Sequence, residues 1–227
     1  QVDGSILPGM LGMEAGQSAF GDVYAGFQQL ILSSINELIT DEATKQKLAD
    51  ELIPLLAEQA AALPLTENDP VALDWFNGRR TPDANHTLKG ALMGLNLGST
   101  APIVFKALVE ATAFGSKAIV DRFIEQGVPI KQVIAIGKKK KKSKFVMQTL
   151  ADVLNMPIKV VTSDQACALG AAMCAATAAG IYATMNEAQK SMSSGFDATY
   201  YPNETKVETY QSLYKKYLKF GDFVEGK

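Results

Sequence analysis

The stretch 133-VIAIGKKKKKSKFVMQTLADVL-154 decides how this chain is read. Val133–Ile136 is a short apolar run rich in β-branched residues, which predicts a buried strand. Gly137 ends it, and the amphipathic segment Phe145–Leu154 predicts a helix a few residues on. A strand, a glycine turn and a helix start let backbone approach a ligand and leave helix-terminal N–H groups unpaired. Here five consecutive lysines, Lys138–Lys142, fill the turn. Beyond it the alternation continues with a strand at Ile158–Val161 and a helix at Gln165–Ala179. That order predicts α/β architecture with parallel strand connections.

Moving upstream, Pro102 and Gly127 bracket Ile103–Gln126, whose apolar residues (Val104, Leu108, Ala111, Phe114, Ala118) keep helical spacing; a long buried helix is expected. Val71–Phe76 reads as a strand running into a polar loop, Asn77–Asn85, and Gly90–Leu97 as a strand or an extended approach to a turn at Gly98-Ser99. Two further helices are expected over Ala19–Leu38 and from Asp41 to about Ala62, with Asp41 as cap and Pro54 marking a break or kink. Ser5–Met13 reads as a strand. The chain lacks an initiator Met and begins at once with this strand-like run. It therefore reads as a piece of a longer protein cut inside a domain, a processed N-terminus being the other reading.

Downstream, the helix at Gln165–Ala179 is rich in Ala and Gly, which predicts close packing against another backbone. Gly180 ends it. Tyr210, Tyr214 and Tyr217 stand at helical spacing in the tail and predict a helix docked on the core by its aromatic face.

With 47% hydrophobic and 20% charged residues, the 227-residue chain is globular and long enough for a full core. The net charge of −2 leaves no global basic field, so nucleic acid is not an expected partner. No run of about 18 apolar residues occurs, and the expected setting is soluble and cytoplasmic, without a membrane. Cys167 and Cys174 would lie roughly 10 Å apart on a helix by its rise per residue, beyond disulfide reach. Both are expected to be small buried residues. One histidine, His86, makes no metal site alone, so no metal ligands are assigned.

Three places offer chemistry. Glu14-Ala15-Gly16-Gln17-Ser18 presents a carboxylate, an amide and a hydroxyl at a helix start, suited to sugar hydroxyls or simply to capping. Asp74, Asn77, Arg79 and Arg80 cluster around WFNGRR, a place to meet an anion or polyol, or a solvated loop. The turn at Gly137 is a place for a nucleotide.

These places, in this order, resemble the C-terminal half of the FGGY family of sugar kinases, and within it the ribulokinases. The resemblance runs through VDGSILPGMLGMEAGQSAFGDVYAGF, DWFNGRRTPDANHTLKGALMGLNLGST, VIAIG with KKSKFVMQTLADVLNMPIKVV, and ALGAAMCAATAAGIY. It implies a ribonuclease-H-like, actin-like ATPase domain of α/β class spanning 1–227, paired with an N-terminal domain of the same protein. It also implies transfer of the ATP γ-phosphoryl group to the 5-hydroxyl of L-ribulose, with Mg²⁺, in arabinose catabolism.

By this resemblance Glu14 touches the sugar. Gly16, Gln17 and Ser18 form a turn at the nucleotide, and Gly137, Lys138, Lys142 and Ser143 line its adenosine side, with Ala168–Ala172 on the helix that follows. The catalytic aspartate is expected upstream of Val2, so the chain by itself is expected to be inactive. One departure stands out: a second glycine and two small apolar residues belong after Gly137, where Lys138, Lys139 and Lys140 stand. Their side chains should obstruct a close approach. The pattern following Gly94-Leu95 also lacks its polar residue near Ile103, whereas Glu110 fits its end. The alternatives are a xylulokinase- or glycerol-kinase-like enzyme, against which EAGQSAFGD argues, and a polyanion-binding module built on the lysines. A face bared by a cut through a domain would favour a homodimer.

Overall fold

The computed structural model describes residues 2–81, 83–136 and 143–227, with the side chains of Val2 and Asp3 left aside. Gly137 and Lys138–Lys142 thus lie outside the described residues.

A small antiparallel hairpin, β1 (Val2–Asp3) with β2 (Leu11–Gly12), comes first. Helices α1 (Gly21–Leu38) and α2 (Glu42–Ala62) follow, and Asp41 caps α2 by accepting from the Thr44 amide at 2.9 Å. Next come β3 (Val71–Leu73) and β4 (Ala91–Met93), paired antiparallel. Helix α3 (Ala101–Glu125) starts with Pro102 in its first turn, where the missing N–H costs nothing. It ends where the Gly127 amide, at φ +80°, reaches the Ile124 carbonyl at 2.9 Å.

Strand β5 (Val133–Ala135), helix α4 (Lys144–Leu154) and strand β6 (Ile158–Val161) form the parallel crossover expected from the sequence. Helices α5 (Ala166–Ala178) and α6 (Met185–Met192) lead to β7 (Phe196–Tyr200), which pairs antiparallel with β6. Helix α7 (Glu204–Glu225) closes the chain.

Helix α3 is the axis of the packing. Eleven consecutive residues, Phe105–Gly115, are buried, so this helix is covered all round. It lies against α1, α2, α4, α7 and β3. On one side Phe105, Leu108 and Ala111 join Tyr24 of α1 and Leu56 of α2. On the other, Phe114 meets the rings of Tyr210, Tyr214 and Tyr217 at centroid distances of 6.4, 5.8 and 5.5 Å. The tail helix is therefore docked by its aromatic face, as its spacing predicts. A third cluster joins Met147, Ala151 and Leu154 of α4 to Ile158 and Val160 of β6.

Several expectations need correction. Of Ser5–Met13 only Leu11–Gly12 is strand; the Pro8-Gly9 stretch makes the turn of the hairpin. Strand β3 stops at Leu73, because Asp74 and Trp75 leave the ladder to reach side-chain partners while staying buried. Helix α2 runs through Pro54 without ending. The parallel connection expected for the strands on either side of α4 holds, while β1–β2, β3–β4 and β6–β7 pair antiparallel. Both cysteines are exposed rather than buried. The reason lies in α5, which packs against the short helix α6 but has only Met173 buried, so both cysteines stand on its uncovered side. Among the described residues no helix is long and apolar enough to cross a membrane.

Candidate functional site

Glu14–Ser18 lie on the irregular segment between β2 and α1, and they do not cap α1. The N-cap position is Phe20, with no side-chain capping bond. Gln17 turns inward instead. It donates from Nε2 to Asp74 Oδ2 and to the Thr112 carbonyl, both at 2.8 Å, and its Oε1 accepts from Ser116 Oγ at 2.8 Å. Gly115 makes room for this join: a Cβ there would stand 2.4 Å from both Asp74 Oδ2 and Gln17 Nε2.

Asp74 is only 5% exposed, and its second oxygen accepts from the Tyr217 hydroxyl at 2.7 Å. Burial pushes the Asp74 carboxyl upward, while the bonds from Gln17 and Tyr217 and the charge of Arg79 work against that rise. Tyr217 is in turn driven well above the usual phenol range by burial and by the adjacent carboxylate. The two groups share one proton-donating arrangement, with the phenol as donor. Both oxygens of a buried carboxylate are thereby satisfied, as a buried acid requires.

The WFNGRR loop folds over this network. Gly78 sits at φ +74°, and a Cβ there would fall 2.7 Å from the backbone of His86, so the turn demands glycine. The turn sends Arg79 and Arg80 to different partners. Arg79 lies over the Trp75 ring at 4.9 Å and forms a bidentate pair with Glu225 at 2.6 and 3.1 Å. Arg80 reaches Glu14 at 3.1 Å, with the two side chains 53% and 80% exposed. Such an exposed pair contributes about 0–1 kcal/mol, so ligand hydroxyls can replace it at little cost. Asn77 Nδ2 donates to the Ser18 carbonyl at 3.5 Å.

Two of the three places singled out in the sequence are thus one site. Gly16, Gln17, Ser18, Asp74, Arg79 and Arg80 line a common cleft of about 60 Å³. That volume holds a few waters. Ser143, at the N-cap of α4, is not among the lining residues. Gly137, Lys138 and Lys142 fall outside the described residues. Ala168 and Leu169–Ala172 lie on α5, where Leu169 and Gly170 border a separate apolar groove of about 470 Å³ with Ile134, Met173 and Phe196.

Four participants went unassigned in the sequence: Thr112, Ser116, Tyr217 and Glu225. Tyr217 carried a usable signal, since a buried tyrosine needs a partner for its hydroxyl. The others have none, because their partners are distant in the chain.

Residues 1–179 match the model of the FGGY family of carbohydrate kinases, C-terminal domain. The chain belongs to the FGGY family. It is 50% identical over 230 residues to a ribulokinase of Vibrio parahaemolyticus, covering 99% of this chain and 40% of that protein. To a ribulokinase of Halalkalibacterium halodurans it is 40% identical over 226 residues, covering 98% and 39%. The chain therefore spans about two fifths of the curated relatives it matches. In fold it is similar to a xylulose kinase from Rhodospirillum rubrum (TM-score 0.73, 22% identity, covering 92% of this chain and 39% of that one). It is also similar to Plasmodium falciparum glycerol kinase with ADP (TM-score 0.63, 21% identity, covering 87% and 37%). The α/β class expected for this FGGY domain is borne out, and so is the ribulokinase resemblance.

Proposed function

We propose that this chain is the nucleotide-binding half of an ATP-dependent kinase that phosphorylates the 5-hydroxyl of L-ribulose, working within a longer protein. The join of Glu14–Ser18 to the WFNGRR loop carries the reading. It sets an exposed carboxylate and an exposed guanidinium side by side above a buried, fully bonded support, an arrangement suited to the hydroxyls of a polyol. In this reading Glu14 accepts from sugar hydroxyls and Arg80 orients Glu14. Gly16, Gln17 and Ser18 border the path to the nucleotide, with Gly137, Lys138, Lys142 and Ser143 on its adenosine side.

Phosphoryl transfer is mostly positioning and charge stabilisation, plus an aspartate to take the hydroxyl proton. That aspartate, and the wall opposite the 60 Å³ cleft, belong to the remainder of the protein. Among the described residues no group of three acidic, histidine or cysteine side chains stands ready for one ion. Mg²⁺ would accordingly be held through nucleotide phosphates and carboxylates outside this set, as is usual for that ion. Helix α5 supports the idea of a missing partner surface: Leu169 aside, its outward residues are small and apolar, and Ile6, Ile134, Ile181 and Phe196 beside it are exposed. The same face is the expected contact of a homodimer when the chain stands alone, and light scattering reads it directly.

The test is reconstitution. The purified chain should show no ATP-dependent turnover of L-ribulose. A chimera with the part of the Vibrio parahaemolyticus ribulokinase that this chain does not match should phosphorylate L-ribulose in preference to D-xylulose and glycerol. Replacing Lys138 by Gly and Lys139 and Lys140 by Ala in that chimera should lower the KM for ATP by about tenfold, the expected gain from restoring close backbone approach. Turnover by the chain alone, or a chimera preferring another acceptor, would overturn the reading.

A further inference from the structure

Residues 180–227 lie outside the segment that matches the family model, yet α7 reaches the site at two points. Tyr217 donates to Asp74 at 2.7 Å. Two turns on, Glu225 receives both guanidinium nitrogens of Arg79, and Lys227 holds the same carboxylate at 2.8 Å. Between these points Gly221 lies flat against Trp75, where a Cβ would stand 3.0 Å from Cη2 of the ring. Arg79 Nε also donates to the Asp83 carbonyl at 2.6 Å, and Asp83 is tied to Arg122 of α3 at 2.8 Å. Trp75 and Arg79 are thus gripped by α7, and Asp83 by α3.

We infer that α7 is a clamp for the sugar-facing wall, with Glu225 a positioning residue that acts through Arg79 to aim Arg80 at Glu14. Arg79 and Arg80 are adjacent, so fixing the first guanidinium over Trp75 sets the direction from which the second leaves the backbone. The Arg79–Glu225 pair is suited to this task. Its side chains are 22% and 15% exposed, against 53% and 80% for Arg80 and Glu14. Bidentate geometry adds orientation that a point charge lacks. One pair is built to hold and the other to exchange. Bonds from Arg79 and then Lys227 keep the Glu225 carboxyl down at about 2, so the grip persists throughout the neutral range.

The inference rests on Glu14 and Arg80 meeting the sugar, and the experiment separates the two. Trp75 is the only tryptophan, so its emission reports the clamp without any activity. In the 227-residue chain, Glu225→Gln and Glu225→Ala should make Trp75 about twofold more open to acrylamide quenching, as expected when a side chain and its cover lose their anchor. In the chimera, Glu225→Gln should raise the KM for L-ribulose about fivefold, in line with loss of a well-aligned ion pair, while kcat and the KM for ATP change less than twofold. Glu225→Asp should recover part of the sugar KM. Unchanged quenching overturns the clamp, and so does an equal rise in the sugar and ATP KM values, which would mark a merely structural role. A wild-type chimera inactive on L-ribulose overturns the functional reading instead, leaving the quenching result to judge the clamp.

Discussion

Replacing Phe114 by alanine should lower the stability of the chain by about 4 kcal/mol, near the middle of the range for emptying a buried aromatic site. Phe114 is 1% exposed and stands between α3 and the three tyrosines of α7. Those tyrosines are large and held by helical backbone on one side only, so the space left behind is not easily filled. The damage should travel. Tyr217 is both a ring neighbour of Phe114 and the donor to Asp74, so loosening α7 should also expose Trp75. Urea unfolding with parallel circular dichroism and tryptophan detection measures both effects. Phe114→Leu keeps most of the volume and should cost less than about 1.5 kcal/mol. A loss near 1 kcal/mol for the alanine variant would mean that α7 is not anchored there.

The second large effect concerns pH. Burial pushes the Glu110 carboxyl from its ordinary 4.5 up to about 7, with Lys106 pulling it down and Asp69 pushing it further up. Lys106 stands 3.6 Å from Glu110 Oε1, an ion pair without a hydrogen bond, and that oxygen has no hydrogen-bonding partner. From α7, Lys206 lowers the Glu110 value, and Tyr210 also feels its charge. The folded chain therefore holds a proton on Glu110 between about pH 4.5 and 7 that the unfolded chain releases. Stability from this group is full below about 4.5 and declines as pH rises through about 7. At 1.36 kcal/mol per unit, the decline is about 3 kcal/mol. Denaturant titrations at pH 5 and pH 8 should show that loss in the wild type relative to Glu110→Gln, whose amide does not ionise. Equal pH dependence in both would contradict it.

Periodicity served the sequence reading well where a helix buries one face or all of itself. The ends of α3 follow from Pro102 and Gly127, and α7 from its spaced tyrosines, because those signals are local. The site was only half readable. Glu14, Gln17 and the arginines of WFNGRR stood out as residue types, but Gln17 meets partners 57, 95 and 99 positions away, and no spacing rule reaches that far. The cysteines failed for a related reason: an apolar helix is buried only where another element covers it, and α6 covers just part of α5. Pro54 showed the reverse case, where tertiary packing kept a helix whole against its local breaker.

The sheathing of α3 sets how the molecule comes apart. The amide protons of Phe105–Gly115 can meet solvent only when α1, α2, α4, α7 and β3 have all let go. Their exchange with deuterium should track global unfolding, whereas α5, bare along most of its length, should exchange through local fraying long before. A chain with one slow axis and one fast flank has its rigidity beneath the Gln17–Asp74 join, and its most easily remodelled backbone along the exposed side of α5.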